Sequence, residues 1–203
     1  MIAANAAMRV LVVCSANRFR SPLAASLLRR ECGYMIDVES AGLYAREGSS
    51  AHAAAQTMAR VHGLMDISAH RTRPLTPQRM RHVDLILTMD EQQQRAAARL
   101  MPTYTGRVML LGCWRGISIG EPIVTSQKSR EWIFGLLQAC VADWKERLTM
   151  AQGAVAPSKG VDRARRAHQA RLTRGGQKRR VVRARGRHGG NAVGEQAIDV
   201  SRE

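Results

Sequence analysis

Apolar and polar positions follow two different periods along the chain, and the alternation of these periods predicts strands followed by helices. Short apolar runs predict strands at residues 9–13, 35–40, 84–88 and 107–111. An apolar spacing of three to four residues predicts helices at 22–31, 51–62, 91–100 and 127–149. In the last helix the apolar stripe consists of Ile133, Leu137, Val141, Trp144 and Leu148. Strands that alternate with helices favour an α/β fold, so we predict a four-stranded parallel sheet with helices on both faces.

The segment after the first predicted strand has the residue types of an anion site. Cys14 ends that strand, Arg20 follows six positions later, and Ser21-Pro22 opens the next helix. Such a loop can turn its backbone N–H groups inward, and the helix N-terminus adds free N–H groups and the positive end of its dipole. A cysteine among these donors is expected to lose its proton easily and to act as a nucleophile. The residues that we predict to bind phosphate are Ser15, Ala16, Asn17, Arg18, Phe19, Arg20 and Ser21.

From about Met8 to about Leu148 the sequence resembles the low-molecular-weight protein tyrosine phosphatases. The loop resembles their signature, which is close to Val-Cys-x-Gly-Asn-x-Cys-Arg-Ser-Pro, and residues 38–42, 69–73, 84–90 and 108–112 match in family order. Glu121-Pro122-Ile123 stands where the family has Asp-Pro-Tyr. Residues 107–130 are most similar to bacterial members linked to exopolysaccharide synthesis, which act on tyrosine-autophosphorylated kinases.

The resemblance implies hydrolysis of phosphotyrosine through a phosphocysteine intermediate, with no metal or other cofactor. Cys14 would attack phosphorus, Arg20 and the loop amides would bind the phosphate oxygens, and Glu121 would protonate the leaving oxygen. It also implies a supporting network in which His70 joins Asn17, Ser21 and Ser40. The partner would be a phosphotyrosine protein, with an autophosphorylated tyrosine kinase as the specific candidate.

Four departures from the family pattern bear on these expectations. Glu121 is one methylene longer than the usual Asp, and Asp90 is a weaker candidate for the acid. Ala16 replaces a Gly and would be strained if its φ were positive. Phe19 replaces a second loop cysteine, so no disulfide can form within the loop. Ile123 replaces the Tyr of the substrate cleft, where the ring of Tyr44 is either a stacking partner or simply an exposed aromatic group.

Two alternative functions stay open on the sequence alone. An arsenate reductase-like enzyme would need a resolving cysteine, for which the chain offers Cys32, Cys113 and Cys140. A phosphotyrosine-binding pseudophosphatase would explain the altered acid motif. The four cysteines show no metal-binding spacing, and a reactive thiol favours the reducing cytoplasm.

Composition divides the 203 residues into three parts. We predict an N-terminal extension at residues 1–7, a phosphatase domain at 8–150 and a basic tail at 151–203. The tail contributes a net charge of +9 to the chain's +16 and has few large apolar residues, so we expect it to be disordered and solvated. The alternative is a tether to nucleic acid or to an anionic membrane. No apolar run reaches the roughly 18 residues of a membrane span.

Overall fold

Four parallel strands form a single sheet in the computed structural model, which describes residues 7–153. The strands are β1 (Met8–Cys14), β2 (Ile36–Gly42), β3 (Leu85–Thr88) and β4 (Val108–Leu110). Their order across the sheet is β2-β1-β3-β4, with Val10 of β1 opposite Val38 of β2 and Leu85 of β3. The predicted four-stranded parallel sheet is therefore confirmed, and β1 lies in its interior.

Within residues 7–153, five α-helices accompany the sheet. They are α1 (Arg20–Cys32), α2 (Ala53–Val61), α3 (Pro77–Arg81), α4 (Glu91–Leu100) and α5 (Gln127–Gly153). Buried residues of α1, α2 and α5 form one hydrophobic core, and buried residues of α3 and α4 belong to a second, smaller core. Both cores contain strand residues, so helices cover both faces of the sheet, as predicted.

Strand β1 contributes to both cores because successive side chains of a strand point to opposite faces. Val10 and Val12 pack in the larger core, and Leu11 and Val13 pack in the smaller one. The predicted apolar stripe of α5 is buried in the larger core, where the indole N–H of Trp144 donates to the carbonyl oxygen of Leu111 at 2.9 Å. Burial on both faces explains why the sequence of β1 is an unbroken apolar run.

Several boundaries differ from the prediction for local reasons. Helix α1 begins two residues early, at Arg20, directly after the loop. Helix α2 begins only after His52, whose ring nitrogen caps it by accepting from the N–H of Ala54 at 3.1 Å. The prediction omitted α3, although Thr76 caps it and Pro77 stands at its first position. It also omitted three short 3-10 turns, at Gly33–Met35, Pro102–Arg107 and Cys113–Arg115.

The predicted N-terminal extension and basic tail fall almost wholly outside the described residues. The expectations of disorder and of a nucleic-acid or membrane tether for the tail lie outside them as well. Across residues 7–153, no helix combines the length and the apolar character needed to cross a membrane.

Candidate active site

The phosphate loop, residues 14–20, runs from the carboxyl end of β1 to the N-terminus of α1. Cys14 is buried at its start, with Sγ 3.1 Å from the hydroxyl oxygen of Ser21. The backbone N–H of Asn17 donates to the same sulfur at 3.3 Å. A thiolate at this position would therefore be stabilised by a backbone donor and a hydroxyl group, beside the positive end of a helix.

Asn17 connects the loop to neighbouring elements through its side-chain amide and its backbone carbonyl. Its Nδ2 donates to the hydroxyl oxygens of Ser21 at 2.9 Å and Ser40 at 3.0 Å. Its Oδ1 accepts from the N–H of Arg73 at 2.9 Å, and its carbonyl oxygen lies 2.9 Å from Nε2 of His70. The structure thus brings together all four residues of the predicted supporting network.

Left-handed backbone geometry falls on Asn17 rather than on Ala16. Asn17 has a φ of 55° and is the one non-glycine residue in 7–153 with a positive φ. Asparagine tolerates this conformation better than most residues. The condition under which Ala16 would be strained is therefore not met, and replacement of the family's Gly carries no such penalty at this position.

Arg20 is buried under the loop and is held by several polar groups. Its Nη1 donates to the carbonyl oxygen of Ile119 at 2.8 Å, and its Nη2 donates to Oγ of Ser15 at 3.2 Å. Nη2 also pairs with the carboxylate of Glu121, and Nη1 lies 3.9 Å from Oδ2 of Asp90. Nε is buried and has no hydrogen-bond partner among the described residues, so its N–H donor is left unused. Burial lowers the pKa of the guanidinium, and the nearby Cys14 and Asp90 oppose that shift.

Two carboxylates lie at Arg20, and they differ in freedom. Asp90 caps α4: its Oδ1 accepts from the backbone N–H of Gln93 at 2.8 Å, and its Oδ2 accepts from the side-chain amide of Gln93 at 2.7 Å. The side chain of Glu121 is 61% exposed and contacts Arg20 from the outside. Asp90 is thus held by two hydrogen bonds from Gln93, whereas Glu121 is the more exposed of the two carboxylates, as an acid that must meet an incoming substrate would be.

The carboxyl end of β2 supports the phosphate loop at very short range. A Cβ atom on Gly42 would lie 2.8 Å from both the backbone nitrogen of Asn17 and the carbonyl oxygen of Ser15. The N–H groups of the two residues after Gly42 donate to the carbonyl oxygens of Cys14 and Ser15, each at 2.9 Å. Only glycine fits at this position without moving the loop.

The remaining predicted residues take different positions around the loop. Phe19 contributes backbone to the loop, but its side chain is buried in the larger core. Arg18 is exposed, and its Nε donates to the carbonyl oxygen of Ser50 at 3.2 Å. The backbone N–H of Tyr44 donates to the carbonyl oxygen of Ser15, which places Tyr44 beside the loop, and its side chain is 75% exposed. Ile123 is also exposed, two residues after Glu121.

The charge on His70 is set by its surroundings. Burial is the largest effect that lowers its pKa, and the nearby Arg73, Arg29 and Arg71 lower it further, against the hydrogen bond to Asn17. A neutral ring can serve the network, because a carbonyl oxygen only accepts and Nε2 must therefore carry the hydrogen. His70 thus donates to the loop without adding charge beside Cys14.

The other cysteines do not favour arsenate reduction. Cys32 and Cys140 are buried, and burial raises the pKa of each thiol to about 11. Burial also raises the pKa of Cys113, which is only partly buried. A thiol that resolves an adduct on Cys14 must be reachable and readily ionised; Cys32 and Cys140 are neither, and the raised pKa of Cys113 opposes its ionisation. Within residues 7–153 no three His, Cys, Asp or Glu side chains form a group that could hold a metal ion.

The sequence prediction missed three contributors to the site. Gln93 contacts Ser15 through its amide, Ile119 binds Arg20 through its carbonyl oxygen, and Gly42 permits the close approach of the loop. An available signal for Gln93 was its place three residues after Asp90, the spacing of a helix capping box. A backbone carbonyl leaves no such signal in the sequence.

Comparisons with known proteins agree with this geometry. A profile of the family described as Low molecular weight phosphotyrosine protein phosphatase matches residues 9–153. The low molecular weight protein-tyrosine-phosphatase Wzb of Salmonella typhimurium is 36% identical over 146 residues, which are 71% of this chain and 97% of that protein. The phosphatase Ptp of Acinetobacter johnsonii is 34% identical over 139 residues, 68% of this chain and 96% of its own. The solved structure of the tyrosine phosphatase Wzb from Escherichia coli K30 with sulphate superposes with a TM-score of 0.65 at 30% identity, covering 69% of this chain and 97% of that one.

Proposed function

The chain belongs to the low molecular weight phosphotyrosine protein phosphatase family, and we propose that it hydrolyses phosphotyrosine in proteins through a phosphocysteine at Cys14. The observation that carries the proposal is the placement of the Cys14 sulfur among hydrogen-bond donors, in a loop that folds over the buried cation of Arg20. This arrangement offers a nucleophile and an anion site within one turn of chain.

In the first step the thiolate of Cys14 attacks phosphorus. An S–P bond forms and the P–O bond to the tyrosine oxygen breaks. The loop N–H groups and Arg20, through its unpaired Nε, stabilise the charge on the phosphoryl oxygens. Phosphate competes with Glu121 for Nη2 of Arg20, so substrate binding frees the carboxylate, which takes up a proton from solvent and donates it to the leaving oxygen.

In the second step water attacks the phosphocysteine. Glu121, now a carboxylate, takes a proton from this water, and the S–P bond breaks to release inorganic phosphate. The sulfur leaves as a thiolate, which Ser21 and the N–H of Asn17 stabilise by hydrogen bonds. The same two contacts thus activate the nucleophile and stabilise the leaving group.

Replacement of the nucleophile tests the proposal directly. Cys14→Ser should abolish hydrolysis of p-nitrophenyl phosphate, and acid quenching of the parent enzyme with a labelled phosphotyrosine peptide should trap phosphate on Cys14. Cys113→Ser is the matched control, because this cysteine is partly exposed and lies outside the loop. Turnover by Cys14→Ser at the parent rate would refute the mechanism.

The natural substrate that we propose is an autophosphorylated tyrosine kinase of exopolysaccharide synthesis, in the cytoplasm. Support comes from the sequence of residues 107–130 and from the similarity to Wzb phosphatases. The requirement for a reduced thiol at Cys14 supports the compartment. Incubation with such a kinase after autophosphorylation should remove its phosphotyrosine. If the kinase kept its phosphotyrosine while p-nitrophenyl phosphate was hydrolysed, the kinase would be excluded as a substrate.

A further inference from the structure

Gln93 closes a ring of polar contacts around the guanidinium of Arg20. Nη2 of Arg20 donates to Oγ of Ser15 at 3.2 Å, and Nε2 of Gln93 donates to the same Oγ at 3.3 Å. Nε2 also donates to Oδ2 of Asp90 at 2.7 Å, and this oxygen lies 3.9 Å from Nη1 of Arg20. Gln93 thus joins the two side chains that contact Arg20 from the side of α4.

The amide of Gln93 has a single orientation that satisfies its surroundings. The side chain is buried, both hydrogens of Nε2 are used, and Oε1 accepts from the N–H of Met89 at 3.3 Å. A flipped amide would set Oε1 against the carboxylate of Asp90 and Nε2 against the N–H of Met89. Neither of those pairs can form a hydrogen bond, so the direction of the donors toward Ser15 and Asp90 is fixed.

We propose that Gln93 is a positioning residue of the phosphate site, acting on Arg20 through Ser15 and Asp90. Recognition of phosphate by a guanidinium depends on the plane in which its donors lie, and small misplacements weaken both binding and rate. Without the amide, Ser15 and Asp90 lose their common anchor, so two of the four groups around Arg20 can shift while Ile119 and Glu121 still bind it. The proposal deepens the proposed function, on which it rests for its kinetic readout only.

The test compares two glutamines of the same helix. Gln93→Met keeps length and apolar volume but removes the amide, and Gln94→Met removes an amide that binds the carbonyl oxygen of Val108 at 2.8 Å. For Gln93→Met we expect about tenfold weaker binding of inorganic phosphate by calorimetry and a similar rise in KM for p-nitrophenyl phosphate. For Gln94→Met we expect the affinity for phosphate and the KM to stay within about twofold of the parent values, while Tm falls by about as much as in Gln93→Met.

A double-mutant cycle separates positioning from general weakening of the fold. If Gln93 acts through Ser15, then Ser15→Ala combined with Gln93→Met should weaken phosphate binding by clearly less than the product of the two single effects. Should Gln93→Met not fold, Gln93→Asn keeps an uncharged amide but withdraws it by one methylene from Ser15 and Asp90, and it must give a loss of phosphate binding in the same direction.

Parent affinity for phosphate in the Gln93 variant, with only Tm lowered, would overturn the proposal, as would fully independent effects in the cycle. The phosphatase proposal fails separately. If the parent binds phosphate but does not turn over, the binding comparison still decides the role of Gln93.

Discussion

Replacing Glu121 by glutamine should change phosphate binding and catalysis in opposite directions. The carboxylate pairs with Nη2 of Arg20, and Arg20 is the residue that we propose binds the phosphate oxygens. The side chain of Glu121→Gln can be neither ionised nor protonated, so it would neither compete with phosphate for Arg20 nor supply the proton that the leaving group needs. Phosphate should therefore bind more tightly while turnover becomes slower.

The two effects differ greatly in size. Arg20 is buried but Glu121 is 61% exposed, so solvent screens the pair and its contribution is about 0.5–1 kcal/mol. Its removal should tighten phosphate binding by about two- to fivefold. Loss of a general acid typically costs about 10²–10⁴-fold in rate, so kcat should fall by that amount for aryl phosphates with basic leaving groups. Good leaving groups should be affected far less.

Calorimetry with inorganic phosphate and steady-state kinetics on a series of aryl phosphates measure both effects. Glu91→Gln is the matched control, because Glu91 is an exposed glutamate of α4 paired with Arg95, and it should leave both quantities unchanged. Glu121→Asp separates the roles, since a shorter carboxylate keeps a proton but withdraws from Arg20. Equal slowing of all leaving groups would remove Glu121 from the acid role. Weaker phosphate binding in Glu121→Gln would refute the competition.

Three further predictions concern the supports of the loop. Gly42→Ala should destabilise the protein by about 1–3 kcal/mol in urea unfolding and lower kcat/KM, because the new Cβ would lie 2.8 Å from the nitrogen of Asn17. Parent values for both quantities would contradict the packing argument. The pKa of His70 in the folded protein is below its ordinary 6.5, so the unfolded chain binds more protons than the folded one. The free energy of unfolding should therefore fall as pH drops below about 6.5. His70→Gln should flatten this pH dependence, and an unchanged pH dependence would exclude His70 as its source. Excess hydrogen peroxide should inactivate the enzyme irreversibly, so that dithiothreitol does not restore activity and Cys14 is found as sulfinic or sulfonic acid. The reason is that Phe19 leaves the loop without a second thiol. Full recovery of activity through a disulfide of Cys14 would disprove this.

Periodicity predicted the sheet because β1 and β3 are nearly unbroken buried runs, the first half of β2 alternates buried and exposed residues, and α5 has one apolar stripe. The same reasoning could not find α3, since five residues with one buried side chain, Met80, show no period. The pair Thr76-Pro77 was the available signal. Helix starts also depended on local capping, as the side chain of His52 shows for α2.

The loop and its supporting network could be predicted because they are built from neighbouring residues and from motifs that resemble a family. The capping-box spacing points to Gln93 but not to its contact with Ser15, which joins residues 78 positions apart and depends on where α4 lies relative to the loop. The contact between Arg20 and the carbonyl oxygen of Ile119 spans 99 positions and uses no side chain of Ile119. Such contacts follow from the packing of whole elements, which the sequence pattern indicates only in outline.

The burial of Arg20 also links the reaction to the stability of the fold. A cation removed from water destabilises the folded chain unless negative charge lies close by, and the lowered pKa of Arg20 reflects that cost. The proposed mechanism requires inorganic phosphate to bind the folded site and not the unfolded chain, so at one hundred times its Kd it should stabilise the protein by about 2.7 kcal/mol. The product of each turnover is thus a ligand that protects the enzyme against unfolding. Product inhibition and thermal protection by phosphate should consequently rise and fall together in every variant of this loop.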